Sequence, residues 1–165
     1  MVYKDFDSLF RQQVYAISFE QGLDLALAVC RQLYPNYEHF VLSEHWGNKD
    51  VLLDAIRLCE QAKTSEVEKV KLKEMLSKVD SITPHMDDFG NYNGSYALNA
   101  AASVYETLEF IIDKGLQHIY NIGTYLTDTM DFKIAEQQDL TDEQIDEHPM
   151  MVQARTFLLE QTKPK

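Results

Sequence analysis

Apolar residues recur at helical spacing along most of the chain, and the pattern is clearest between residues 95 and 114. Two adjoining stripes of apolar or small residues run along this segment. The first stripe comprises Ala97, Ala101, Val104, Leu108 and Ile111, and the second comprises Leu98, Ala102, Tyr105 and Ile112. A helix that is apolar over so much of its circumference is typically surrounded by other helices. We therefore predict an all-α, single-domain bundle (residues 1–165) of about seven or eight helices around a central buried helix at roughly residues 95–114.

Start and stop signals divide the remaining pattern into further helices. Capping-box spacing occurs three times, at Ser18-x-x-Gln21, Ser65-x-x-Glu68 and Thr141-x-x-Gln144. Asn48 is a further predicted N-cap, and Pro149 is a typical first residue of a last helix. Proline disfavours helical geometry in the residue before it, so Pro35 predicts that one helix ends near Tyr34.

A long helix is predicted after Gly115, and it contains a glycine. Its apolar face runs from Leu116 through Leu126 to Ile134, with Gly123 inside the pattern. Glycine weakens a helix relative to alanine. Gly123 is therefore best explained if a neighbouring side chain packs tightly against it.

The composition is that of a globular protein without a membrane segment. Hydrophobic residues make up 45% of the chain, and glycine (6) and proline (4) are scarce, which favours helices with short connections. No apolar run reaches the roughly 18 residues of a spanning helix, and the N-terminus lacks the pattern of a secretion signal. Cys30 and Cys59 both lie on apolar helical stripes and are interpreted as reduced core residues. We expect a cytoplasmic protein.

The negative charge is confined to one half of the chain. The formal net charge is −12, and residues 79–147 contain 14 acids but only two bases, Lys114 and Lys133, whereas charges elsewhere cancel. Such a field repels nucleic acid and anionic membranes and attracts basic proteins. The pattern is also typical of a surface that merely keeps a protein in solution, and both interpretations stay open here.

Several segments resemble a known bacterial family. These are Ala16 to Phe40, which contains Tyr-Pro-Asn-Tyr-x-x-Phe at residues 34–40, then Ile-Thr-Pro-x-x-Asp-Asp-Phe at 82–89 and Tyr-Ala-Leu-x-Ala at 96–100. They resemble the YjaG-like family of unknown function over most of residues 16–158, and the resemblance implies an all-α fold without established catalytic residues. This chain departs from the family by its early end and its own loop at residues 90–94. Some short, divergent relatives resemble immunity proteins of bacterial toxin systems.

Chemically active motifs are scarce. No phosphate loop, zinc-binding His-Glu-x-x-His, nucleophile elbow or Cys-x-x-Cys pair occurs, so we expect a protein that is not an enzyme and has no cofactor. One compact polar segment contains Asp80, His85, Asp87 and Asp88. It could offer metal ligands, but the order of the ligands favours a structural turn in which Asp87 or Asp88 accepts backbone hydrogen bonds.

A second group of carboxylates lies on the predicted central helix. Glu106 and Glu109 are three residues apart, and Asp113 follows on the same helix. Without a histidine at the Glu-x-x-His spacing of di-iron bundles, this pattern favours a solvent-exposed face. We therefore predict no metal site.

The charge pattern leads to a hypothesis about partners. We expect a binding protein, an immunity protein that neutralises a basic, nuclease-like toxin domain by stoichiometric binding. The predicted contact residues are all acidic: Asp87, Asp88, Asp128, Asp131, Glu136 and Asp139. The alternative is a housekeeping member of the YjaG-like family that binds a cellular protein or a small ligand. The sequence gives no indication of the oligomeric state.

Overall fold

The computed structural model describes residues 1–165 and contains only helices. The eight helices are α1 (Tyr3–Val14), α2 (Phe19–Glu44), α3 (Lys49–Gln61), α4 (Lys69–Ser81), α5 (Tyr92–Asp113), α6 (Leu116–Gln137), α7 (Asp142–Glu147) and α8 (Pro149–Gln161). One cluster of 33 buried apolar residues joins them. The predicted all-α bundle is therefore confirmed.

Helix α5 is the central helix, as the pattern predicts. It packs against α2, α3, α4 and α6, and the Asn91 side chain caps its first turn by accepting the Gly94 N–H at 2.8 Å. Ala97 and Ala101 are fully buried, because small side chains allow neighbouring helices to approach closely. The second predicted stripe is only half-buried, since residues such as Tyr105 lie at the edge of the packed face.

Helix α2 is longer than the sequence predicts. It continues through Pro35 to Glu44 and ends at His45, whose φ of 53° is left-handed. The predicted end near Tyr34 is wrong. Pro35 is exposed, while Tyr37 and Phe40 on the next turns are fully buried, so core packing outweighs the local cost of the proline.

The segment between α3 and α4 also departs from the predicted pattern. Asn48 caps α3 as predicted, but Ser65 does not start a helix. Its hydroxyl donates to the Gln61 carbonyl at the end of α3, and α4 begins only at Lys69. The intervening Val67 packs against the core, which keeps this segment extended.

The other predicted signals are confirmed. The Ser18 side chain caps α2, Thr141 and Gln144 form a full capping box on α7, and Pro149 opens α8. Gly123 has the predicted tight neighbour, because a Cβ there would lie 2.4 Å from the Phe10 ring. That contact lets α1 pack closely on α6.

The structure also bears on the two cysteines and on the possibility of a membrane-spanning helix. Cys30 and Cys59 are both buried and free, and burial raises the pKa of the Cys30 thiol to about 12. Both are therefore core residues, as predicted. No helix combines the length and apolarity needed to cross a membrane.

Candidate functional site

A surface cavity of about 260 Å³ lies where α6, α7 and α8 meet the start of α1. We call it the aspartate cavity, because four of its nine lining residues are aspartates, namely Asp128, Asp131, Asp142 and Asp146. Side chains three or four residues apart share one face of a helix. Helix α6 therefore contributes the first two aspartates, and α7 contributes the other two.

Arg155 is the only basic residue that lines the aspartate cavity. Its side chain is only 9% exposed, and Nη1 lies 2.8 Å from Asp146 Oδ1. Nη1 also donates to the Met1 carbonyl at 3.1 Å, and the buried Nε has no hydrogen-bond partner. The arginine thus forms an ion pair with Asp146 and a hydrogen bond with the N-terminal residue. Asp128, Asp131 and Asp142 form no ion pair.

Burial and neighbouring carboxylates both raise the pKa of Asp128 and Asp131 in the aspartate cavity. Burial raises the pKa of Asp128, and Asp131 adds to the effect. Burial likewise raises the pKa of Asp131, with Asp142 adding and Arg155 opposing. A raised pKa means that the ionised form is disfavoured in the folded protein. A cation between the carboxylates would offset the part of the shift that comes from their mutual repulsion.

The six predicted contact residues do not form one cluster. Asp128 and Asp131 share the aspartate cavity. The other four lie outside this cavity, with Asp87 and Asp88 before α5, Glu136 at the end of α6 and Asp139 in the segment after α6. All four are exposed, as is Asp128.

The turn around Asp87 and Asp88 differs from the predicted one. It is closed by backbone hydrogen bonds from Asp88 and Phe89 to the His85 carbonyl, so the two carboxylates are not needed to hold it. Asp80 instead lines a different cavity, of about 170 Å³, together with Tyr105, Glu106 and Tyr125. The compact metal-ligand segment considered in the sequence is therefore not assembled.

A second cluster of titratable side chains lies beside the connection between α5 and α6. We call Glu106, Glu109 and His118 the Glu106 cluster; they can each offer one ligand atom, and these atoms lie within 4.8 Å of one another. His118 Nδ1 lies 2.5 Å from Glu106 Oε2. His118 Nε2 lies 3.0 Å from Asp113 Oδ2.

The interpretation of these carboxylates as a solvent-exposed face is wrong for Glu106. Its side chain is only 14% exposed, and that of His118 is 17% exposed. The part played by this histidine was missed from the sequence because His118 lies on a different helix from Glu106. A two-residue connection between α5 and α6 folds His118 back beside Glu106, and that short connection is the only sequence signal for the contact.

The charges of the Glu106 cluster affect the pKa of its members in opposite directions. Burial disfavours protonation of His118, but hydrogen bonds to Asp113 and Glu106 outweigh it and raise the pKa of the imidazole. The bond to His118 lowers the pKa of Asp113. Burial raises the pKa of Glu109, and Glu106 adds to it. Glu109 is thus a carboxylate beside a second carboxylate.

The chain is thus an all-α bundle with an acidic surface cavity and a separate cluster of two glutamates and a histidine. Residues 9–163 match the family described as "Protein of unknown function (DUF416)", and the chain belongs to that family.

Individual relatives agree with this assignment and confirm the predicted resemblance to YjaG-like proteins. The chain is 23% identical to "Uncharacterized protein YjaG" of Escherichia coli strain K12 over 136 residues, which are 81% of this chain and 69% of the relative. The Salmonella typhimurium strain LT2 protein of the same description is 22% identical over the same shares. A crystal structure of a DUF416 family protein from Shewanella baltica OS155 is similar with a TM-score of 0.79 and 26% identity, covering 92% of this chain and 82% of that chain.

Proposed function

We propose that this chain is a binding protein for a basic protein partner and that the aspartate cavity is the centre of the contact surface. One observation carries the proposal. Asp128, Asp131 and Asp142 converge on one cavity whose single arginine is already paired with Asp146. A lysine or arginine side chain of a partner would find carboxylates there that have no counter-ion.

The charge of the wider surface also supports association with a basic partner. The acids that give residues 79–147 their excess negative charge include the exposed Glu136, at the end of α6, and Asp139, in the segment after it. A field of one sign increases the rate at which an oppositely charged protein associates. We therefore assign Glu136 and Asp139 to steering, and the aspartates of the cavity to direct contact.

The specific form of the proposal is an immunity protein that neutralises a basic, nuclease-like toxin domain. Nucleases carry basic surfaces because they hold phosphate groups, so an acidic inhibitor matches such a surface. This form rests on charge complementarity and on the resemblance of short relatives to immunity proteins.

A capture experiment with matched variants tests the binding proposal. The tagged chain, the Asp128→Asn/Asp131→Asn variant and a Glu66→Gln/Glu74→Gln control would each be incubated with lysate of the source organism. The two variants remove the same number of negative charges, but Glu66 and Glu74 are exposed residues outside the cavity. Circular dichroism would verify that all three chains are equally helical.

The expected result is one basic protein captured in equal proportion by the unmodified chain and the control, with strong loss for the cavity variant. Capture of the same protein by all three chains would contradict the assigned surface. No basic partner for any chain would contradict the binding proposal itself.

A second candidate function is a housekeeping role in binding a cellular protein or small ligand. The similarity to the Escherichia coli and Salmonella relatives extends over 81% of this chain, which supports a role shared with those relatives. Growth of a deletion strain that lacks any toxin distinguishes the two functions. A defect without toxin supports the housekeeping role. Normal growth, with protection only when the captured partner is expressed, supports the immunity role.

A further inference from the structure

The Glu106 cluster has the donor atoms and the spacing of a metal site. An imidazole nitrogen and two carboxylate oxygens lie within 4.8 Å of one another. Zinc bonds to such ligands at about 2.0–2.2 Å, which places pairs of ligand atoms about 3–4 Å apart. Small side-chain movements therefore suffice to bring all three donors onto one ion.

The surrounding residues orient these donors from outside the cluster. His118 Nε2 lies 3.0 Å from Asp113 Oδ2, and Asp113 itself accepts the Gly115 N–H at 2.7 Å. Asn121 Nδ2 donates to Glu106 Oε1 at 3.2 Å. Histidines that bind metals usually donate their other ring N–H to a carboxylate, and metal-binding carboxylates are hydrogen-bonded in turn. Both supports are present here.

The negative charge of the Glu106 cluster exceeds the positive charge that His118 can supply. The single imidazole of His118 already contacts both Glu106 and Asp113. The half-buried Glu109 carboxylate lies beside them without a hydrogen bond or an ion pair of its own. A divalent cation would supply the missing positive charge.

A cavity next to the cluster gives solvent access. It has a volume of about 170 Å³ and is lined by residues that include Asp80, Tyr105, Glu106 and Tyr125. Glu106 belongs to both the cavity and the cluster. An ion could therefore reach the cluster from solvent and keep water in its remaining coordination positions.

We propose that Glu106, Glu109 and His118 bind a divalent transition-metal ion of the zinc class, with Asp113 and Asn121 as positioning residues. The ion takes the place of the proton on His118 Nδ1, while the Nε2–H continues to donate to Asp113. One imidazole with two carboxylates favours zinc over magnesium and calcium, which prefer ligand sets made of oxygen alone. The bound ion joins α5 to α6 beside their connection.

Calorimetric titration of the full chain with Zn²⁺ alone, after treatment with a chelator, tests this inference without any protein partner. We expect one ion per chain and a melting temperature that rises with Zn²⁺ concentration. Mg²⁺ at the same concentrations should bind at least tenfold more weakly. Because no protein partner is present, the result of this titration does not depend on the proposed protein-binding function.

Three variants locate the ion: one changes a proposed ligand, one changes a positioning residue, and one is a control. Glu109→Gln removes a donor without disturbing the contact between Glu106 and His118, and it should abolish stoichiometric binding. Asp113→Asn should weaken Zn²⁺ binding about 10–100-fold, as expected for a residue that orients a ligand. The control, Glu66→Gln, removes an equal charge from an exposed position between α3 and α4 and should leave the affinity unchanged.

Two results would overturn the inference. One is the absence of stoichiometric Zn²⁺ binding by the unmodified chain. The other is binding that Glu109→Gln leaves intact, which would assign the ion to another part of the molecule, such as the aspartate cavity or the buried cysteines. Circular dichroism of Glu109→Gln in the absence of metal would verify that the variant is folded.

Discussion

Arg155 Nη1 lies 2.8 Å from Asp146 Oδ1, and this ion pair joins α7 to α8. Helix α7 has six residues and buries none of them. A helix this short is marginal by itself, so its position depends on tertiary contacts. The same arginine donates to the Met1 carbonyl. It therefore holds both α7 and the N-terminus at the aspartate cavity.

Loss of Asp146 should destabilise the protein strongly. Asp146→Ala leaves the buried Arg155 without its counter-ion, and breaking a buried pair from one side lowers the free energy of unfolding by about 3–5 kcal/mol. Urea denaturation provides the measurement. Glu143→Ala on the exposed side of the same helix is the control, with an expected change within about 0.5 kcal/mol. Equal effects of the two substitutions would show that the pair does not hold α7.

The hydroxyl of Tyr37 connects α2 to two loops. It donates to the Ile82 carbonyl at 2.6 Å and accepts the Asn48 N–H at 3.2 Å. Tyr37→Phe should lower the free energy of unfolding by about 1–3 kcal/mol, because it leaves both backbone groups without this partner. Tyr34→Phe removes one longer bond of 3.2 Å to the Lys49 carbonyl and should have the smaller effect. The reverse order in thermal unfolding would contradict this assignment.

Gly123 should not tolerate a methyl group while Phe10 is present. Alanine gains about 1 kcal/mol of helix propensity over glycine, but its Cβ would lie 2.4 Å from the Phe10 ring. That ring is held between Phe6 and Tyr120, so overpacking of about 1–3 kcal/mol should outweigh the gain. In a Phe10→Leu background the same substitution should become neutral or stabilising. An equal effect in both backgrounds would contradict the packing account.

The aspartate cavity should make stability depend on pH. Burial raises the pKa of Asp128 and Asp131 above 3.8, so the folded state binds these protons more tightly than the unfolded state. The contribution of these two aspartates to the free energy of unfolding should therefore fall as the pH rises through the window that begins near 3.8 and ends above the raised pKa values. Asp128→Asn/Asp131→Asn should then stabilise the chain at neutral pH, and the gain should vanish in acid. The measurement is urea denaturation across this pH range.

The Glu66→Gln/Glu74→Gln pair is the control for that series. It removes the same charge from exposed positions and should change the pH profile little. A cavity variant that is destabilised at neutral pH would contradict the account, because it would mean that the aspartates are already compensated within the chain. Residues that serve function are often kept at a cost in stability, so removing these aspartates is expected to stabilise the chain while it weakens partner binding.

The sequence predicts the buried helix well because its signal is repeated along many residues. Ala101, Val104 and Leu108 lie at successive turns of one stripe, and all three are buried. Capping signals succeed where one side chain decides the geometry, as at Ser18 and Thr141. They fail at Ser65, where the packing of Val67 takes precedence. Pro35 fails as a helix end for the same reason, since the buried Tyr37 holds the next turn.

The two candidate sites were harder to predict because each joins helices that are independent in sequence. The pattern identified Asp128 and Asp131 as acidic surface, but their cavity also needs Asp146 and Arg155 from later helices. His118 meets Glu106 only because α6 turns back on α5. Such contacts depend on how helices pair, and apolar periodicity carries no information about which polar side chains then face each other.

The rate of association with the captured basic partner, measured by stopped flow at low and high salt, tests the central claim most directly. The Asp128→Lys/Asp131→Lys/Glu136→Lys variant should associate at least tenfold more slowly at low salt while keeping its helicity, and its rate should depend less on salt. A control with Glu66, Glu68 and Glu74 changed to lysine should stay much closer to the unmodified chain. An association rate at low salt that equals that of the unmodified chain would contradict the assignment of this acidic surface to partner binding.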